Sequence, residues 1–239
     1  ITGLNGNVRC MAEGPDGKIY VGGNFTNAGG VAEADYLARW NPVSEMWEAT
    51  GIDYTDATIS TIYAMAFDAN GDLYIGGNFT NLGSTNGDYI VKITDLSGTP
   101  TINAIGTGLN SICYSIVIKS NGDVYAGGAF TLAGGVAGTK KIAKWNGTAW
   151  SPLSTGLNHD VWTLALAPNE DLYAGGLFTD VAYPYLCKWD GTAFSAVGTN
   201  TDIGAAVYAL AFGTTGYLYV GGAFTNAGGN PDADYIARW

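Results

Sequence analysis

Five residues of this 239-residue chain share one aligned position: Arg9, Tyr63, Tyr114, Trp162 and Tyr208. Four aromatic rings and a guanidinium suit a sugar site, because flat rings cover the apolar face of a pyranose and need no net charge. Amides in Gly-Leu-Asn loops, at Asn5, Asn110 and Asn158, would satisfy the hydroxyls. The competing reading is that these rings only pack between neighbouring elements. A second recurring set is acidic: Asp35, Asp88 and Asp234, the last with Asp232. Each loop offers one or two carboxylates, fewer than a dedicated calcium site uses, so these are weak calcium candidates beside the default of solvated surface charge.

Catalytic patterns are missing from the sequence. It contains no H-E-x-x-H, no G-x-S-x-G and no phosphate-binding Gly-rich loop. The single histidine, His159, rules out a multi-histidine metal site and would have to serve any nucleophilic triad alone. A glycosidase needs two carboxylates about 5–9 Å apart. The first strands of the repeats offer only Glu13 at a far end and Asp160 at a beginning. Cys10, Cys113 and Cys187 form no C-x-x-C pair. Cys10 aligns with Ala64, Ser115, Thr163 and Ala209, and Cys187 with Ala38, Val91, Ala143 and Ala237, so free thiols in small-residue packing slots are expected. The reading is of a non-enzyme without cofactor.

Charge narrows the partners. Ten basic residues against 21 acidic ones give a net charge of −11, which repels nucleic-acid phosphates and anionic membrane surfaces. No run of 18 apolar residues is present, so membrane insertion is not expected. The start, Ile1-Thr2-Gly3, has neither a methionine nor the regions of a signal peptide, and reads as a mature product or an excised piece.

The elements that position these residues follow from a repeat. Tyr20-Val21-Gly22-Gly23-Asn24-Phe25-Thr26 returns with its diglycine beginning at Gly76, Gly127, Gly175 and Gly221, at spacings of 54, 51, 48 and 46. Each copy holds a first run apolar on both faces, as in Ile62-Tyr63-Ala64-Met65-Ala66-Phe67, then a tight turn such as Asn70-Gly71-Asp72. The second run carries Tyr-x-Gly-Gly, the third ends in a basic residue and usually Trp, and a further turn leads to a fourth run around Trp150 or Phe194. Four antiparallel strands per repeat of this length make one propeller blade. With 36 glycines and 7 prolines, the expectation is an all-β, five-bladed β-propeller forming one domain. Its blades fall near 1–50, 51–105, 106–153, 154–197 and 198–239. In such a ring a residue present in every blade most simply builds the blade. The phenylalanine following each diglycine is thus a core plug, and the row Arg39, Lys92, Lys144, Lys188 and Arg238 is solvated or salt-paired.

A diglycine ending the second strand, an aromatic starting the third and a Trp opening the fourth (Gly22-Gly23, Tyr36, Trp47) resemble a kelch-type blade. The fuller pattern, Tyr-x-Gly-Gly-x-Phe-Thr-x-x-Gly-Gly followed by Ile-Ala-Lys-Trp-Asn-Gly-Thr-x-Trp, resembles repeats of secreted bacterial proteins and of fungal cortical polarity-marker proteins. The five-blade architecture is also similar to that of the tachylectin sugar-binding propeller. These resemblances imply the fold and leave the activity open, because propellers host many unrelated functions. The second copy departs by Ile93 in place of Trp and a longer Asp95–Ile105 connection, and the fourth by a short Thr179–Tyr185 loop.

Ile1-Thr2-Gly3-Leu4-Asn5 matches Ser154-Thr155-Gly156-Leu157-Asn158, so the chain is expected to start after one outer strand and to stop before the outer strand of blade five. An open edge offers unpaired backbone groups to another chain. The leading expectation is an extracellular or cell-surface recognition module for a glycan or a protein surface ligand. The alternative is a structural subunit of an appendage or filament that self-associates through the blade-five edge. A glycoside-active enzyme is a third, weaker reading.

Overall fold

A computed structural model describes residues 3–180, 183–198 and 203–239. Ile1 and Thr2 of the matched amino-terminal stretch, and residues 181–182 of the short fourth-copy loop, lie outside the described residues. The chain forms five antiparallel sheets whose strands pair in chain order. Blade one holds β1 (Val8–Glu13), β2 (Ile19–Gly23), β3 (Leu37–Asn41) and β4 (Met46–Ala49). Blade two holds β5 (Thr58–Phe67), β6 (Leu73–Thr80), β7 (Ile90–Thr94) and β8 (Thr101–Ala104). Blade three holds β9 (Cys113–Ile118), β10 (Val124–Gly128), β11 (Ile142–Trp145) and β12 (Trp150–Pro152). Blade four holds β13 (Val161–Leu166), β14 (Leu172–Gly176), β15 (Leu186–Trp189) and β16 (Phe194–Ala196). Blade five has three strands, β17 (Val207–Phe212), β18 (Leu218–Gly222) and β19 (Ile236–Arg238). The fold is the all-β, five-bladed propeller class the repeat predicts. Two compact units can be distinguished, Ile1–Gly122 and Asp123–Trp239. Among the described residues no helix is long and apolar enough to cross a membrane.

The diglycine explains itself in three dimensions. Neither of its residues takes positive φ in any blade, so close approach is what forbids a side chain. The first glycine of blades one to four lies under the first strand of the next blade. A methyl on Gly76 would sit 2.6 Å from Cys113 Sγ and 3.0 Å from Ile116 Cδ1, and one on Gly127 would sit 2.6 Å from Val161 Cγ1. The second glycine lies against a backbone carbonyl in or just before its own first strand: Asn7 for Gly23, Thr61 for Gly77, Asp160 for Gly176, Ala206 for Gly222. Phe25, Phe79, Phe130, Phe178 and Phe224 are fully buried plugs, as expected.

Where the third strand begins, Tyr36, Tyr89, Lys141, Tyr185 and Tyr235 all adopt left-handed backbone, with φ between 58 and 67. Bulky residues seldom occupy that region. Hydrogen bonds hold it here: in blade one, Tyr36 N donates to Phe25 O at 2.9 Å and Gly23 N donates to Tyr36 O at 2.9 Å. In blades one, three and four the fourth strand pairs its ring with one on the third strand: Trp40 on Trp47 at 5.4 Å, Trp145 on Trp150 at 5.6 Å and Trp189 on Phe194 at 4.7 Å. Blade two uses Ile93 opposite Ile102 instead.

Candidate functional site

For four of the five candidates the shared position is a β-bulge. The first strand slips by one residue between Val8 and Cys10, Ile62 and Ala64, Val161 and Thr163, and Val207 and Ala209. The extra residues are Arg9, Tyr63, Trp162 and Tyr208, and Tyr114 sits at the same aligned place in β9. A bulge re-aims the side chain it adds, and here it turns a recurring position of a two-faced strand out of the sheet packing.

The side chains so released meet one another within each unit. In the first, the Arg9 guanidinium carbon lies 5.8 Å from the Tyr63 ring centre, and Tyr63 meets Tyr114 edge to face at 5.4 Å. In the second, Trp162 and Tyr208 stack at 5.1 Å with an interplanar angle of 27°. Arg9 and Tyr208 are exposed, and Tyr63, Tyr114 and Trp162 are half-buried. The rings thus support neighbouring blades and still present surface.

The asparagines of the Gly-Leu-Asn loops are turned inward. Asn158 accepts the Thr179 N–H at Oδ1 (2.9 Å) and faces the Thr179 hydroxyl through Nδ2 (3.4 Å). Asn5 repeats this on Thr26, at 2.8 and 3.0 Å. Both ends of these amides are occupied in fastening the loop, so the hydroxyl-binding role that the sequence assigned to Asn158 meets a competing structural one. The threonine of Phe-Thr is correspondingly the loop's partner. Asn110 is also engaged in its own surroundings.

The acidic candidates are turn devices. Asp35, Asp88 and Asp234 each accept a backbone N–H, from Asn27 (2.6 Å), Asn81 (2.9 Å) and Asn226 (2.8 Å). Those asparagines stand in left-handed conformation at φ 48, 58 and 55. Asp232 takes part through its backbone, its N–H donating to Asn230 Oδ1 at 3.0 Å. No group of three His, Cys, Asp or Glu suited to a metal occurs among the described residues.

Asp160 forms an ion pair with Lys141 at 2.7 Å, and Lys141 also donates to Ala129 O at 2.8 Å. His159 has its side chain 57% exposed and accepts the Asp160 N–H at Nδ1. Burial pushes the Cys10 and Cys113 thiols up to about 12, and the Cys187 thiol well above its ordinary value. Such thiols are inert as nucleophiles.

Sequence reasoning missed who pairs with the basic row. Lys92 bridges Asp72 (2.7 Å) and Asp68 (3.2 Å), Lys144 meets Asp123 (3.4 Å) and Lys188 meets Asp171 (2.7 Å). The aspartates at the first hairpins are therefore ion-pair partners of cations that stand in register opposite the tyrosine of Tyr-x-Gly-Gly. In blade one the cation is Arg39 and its partner is Glu48, at 2.9 Å. Glu48 is held down to about 2, first by the Lys18 ammonium, then by the Asn41 amide and the charge of Arg39.

A concavity of about 720 Å³ in blade two was also missed. Asp53, Asp56, Asn81 and Ser84 line it, and Thr99–Ile102 of the long connection form one wall. The extra length of that connection was its only signal in the sequence.

Residues 14–43 match the family model described as a domain of unknown function (DUF5122) beta-propeller. No curated protein matches the chain. Among solved structures, virginiamycin B lyase from Staphylococcus aureus is similar over 98% of this chain and 70% of its own, at 12% identity and a TM-score of 0.58. The GH74 enzyme of Niastella koreensis is similar over 95% of this chain and 34% of its own, at 16% identity and a TM-score of 0.57. PorZ, a bacterial surface component of the type-IX secretion system of Porphyromonas gingivalis, is similar over 90% and 30%, at 13% identity and a TM-score of 0.56. At these identities the likeness carries the fold alone.

Proposed function

We propose that the chain is an extracellular, non-catalytic recognition module that binds a glycan through its bulge aromatics. The observation that carries this reading is the Trp162–Tyr208 stack, held at 5.1 Å on two first strands with Tyr208 55% exposed. A rigid, partly exposed indole–phenol pair offers apolar area to a sugar ring at little entropic cost. The chain's net charge of −11 disfavours an anionic ligand. The resemblance to kelch-like repeats of secreted proteins and the likeness to PorZ, a bacterial surface component, are consistent with an extracellular setting. The lyase and the GH74 enzyme show that this fold also hosts catalysis. Here, however, the carboxylate at the start of a first strand, Asp160, is paired with Lys141, and desolvation pushes the Cys10 and Cys113 thiols up to about 12.

The test is a glycan array read with the chain and with Trp162→Ala. Binding that falls at least tenfold in the variant, with an unchanged far-ultraviolet spectrum, is the expected result. Equal binding by both proteins, or none by either, would end this assignment.

A further inference from the structure

Four times in this chain the same interface recurs. The bulge places residues i and i+3 of a first strand on one face, and that pair seats on the diglycine of the preceding blade. Ile62 and Met65 lie on Gly22, Cys113 and Ile116 on Gly76, Val161 and Leu164 on Gly127, and Val207 on Gly175. The outer end is closed by an aromatic contact, Tyr20 with Phe67 and Tyr173 with Phe212, both at 5.1 Å. The inserted residues are buried: Ile62 and Val161 are 0% exposed and Met65 is 9%.

Both halves of this interface also occur uncovered. In the first unit the aligned pair on β1 is Val8 and Met11, 42% and 67% exposed. In the second unit the receiving face of blade five is open. Ile236 is 66% exposed, where its equivalents Leu37, Ile90 and Ile142 are fully buried, and Tyr219 is 39% exposed. A methyl on Gly221 would touch only atoms of its own blade, Ala209 and Tyr235, at 3.7 and 3.8 Å.

Charge adds to the fit. By register, Glu13 stands on β1 where Phe67 and Phe212 stand on β5 and β17. The residue it would meet beside Tyr219 is Arg238, opposite Tyr219 on β19 and resting over the Tyr217 ring at 4.6 Å. Arg39, Lys92, Lys144 and Lys188 all face carboxylates.

We propose that the blade-five face binds the β1 face of a second copy of this chain, head to tail, by repeating the interface between consecutive blades, with Val8 and Met11 over Gly221 and Ile236 and with Glu13 beside Arg238. The contact is heterologous, so it either propagates or closes into a ring by rotation. It joins sheet faces and leaves the outer edge of β19 out of the contact, and it stands independently of glycan binding.

Light scattering across a concentration series tests it, using Met11→Asp and Ile236→Asp, both at exposed positions. The wild-type chain is expected to grow in mass with concentration, and each variant alone to stay monomeric. An equimolar mixture of the two should form a 1:1 dimer that grows no further, because each partner keeps one intact face. Glu13→Arg and Arg238→Glu should each weaken association about tenfold, and the double variant should restore it. Val8→Asp and Tyr219→Glu repeat the test if either first variant loses its native near-ultraviolet spectrum. A wild-type chain that is monomeric throughout, whether its faces are covered within one chain or by another protein, overturns the proposal. So does growth that persists in both aspartate variants, which would move the joint to the strand edge.

Discussion

Blades four and five carry the same words, Tyr173-Ala174-Gly175-Gly176-Leu177-Phe178-Thr179 and Tyr219-Val220-Gly221-Gly222-Ala223-Phe224-Thr225, yet their faces differ. Gly175 lies under Val207, and Tyr173 packs edge to face on Phe212. Gly221 meets only its own blade, and Tyr219 is exposed. Phe178 and Phe224, by contrast, are equally buried. The motif therefore has two parts with different physics. The phenylalanine is satisfied inside its own blade, whereas the first glycine has its purpose only when a second blade covers it.

Four substitutions separate these parts. Phe178→Ala and Phe224→Ala should each cost about 3–5 kcal/mol in chemical denaturation, the usual cost of emptying a large aromatic site. Because the plug is internal to a blade, the two values should agree, and a much smaller cost for Phe224→Ala would refute that division. Gly175→Ala should cost about 1–3 kcal/mol, since the new methyl lies 2.5 Å from Val207 Cγ1 and overpacking strains a filled site. Gly221→Ala should stay within about 0.5 kcal/mol of wild type, as a surface change does. Equal costs at the two glycines would show that blade five is covered after all.

A further, pH-dependent effect concerns the cation row. Glu48 on β4 anchors Lys18 and Arg39, and among the described residues blade five shows three strands and no equivalent of Glu48. With its folded pKa at about 2, below the ordinary carboxylate value of about 4.3, Glu48 contributes its full stability above the unfolded value and loses it as pH falls toward 2. Glu48→Gln should therefore lower the melting temperature by a few degrees near neutrality. The gap to wild type should close between about pH 4.3 and 2, whereas a constant gap would make the contact one of packing alone.

Much of this was legible in the residues. Diglycine spacing gave the blade count, the turn dipeptides gave the hairpins, and five phenylalanines gave the plugs. The bulge position was visible as an aligned column, Arg9 to Tyr208, without its geometry. Left-handed Tyr36 and its equivalents were not legible, because no tyrosine prefers that backbone and only the hydrogen bonds on both sides impose it. Nor were the partners of Lys92, Lys144 and Lys188, since a cross-strand register joins residues some 20 apart in sequence. Asn158 read as a ligand for hydroxyls because an amide's chemistry is the same whether it faces a sugar or Thr179.

By itself, then, the sequence determined whatever depends on neighbours along the chain: strand alternation, turn chemistry, the repeat and therefore the blades. Tertiary structure alone decided which of several identical faces is covered. Burial is a property of what arrives from elsewhere, so Met65 and Met11, alike in type and aligned position, end as 9% and 67% exposed.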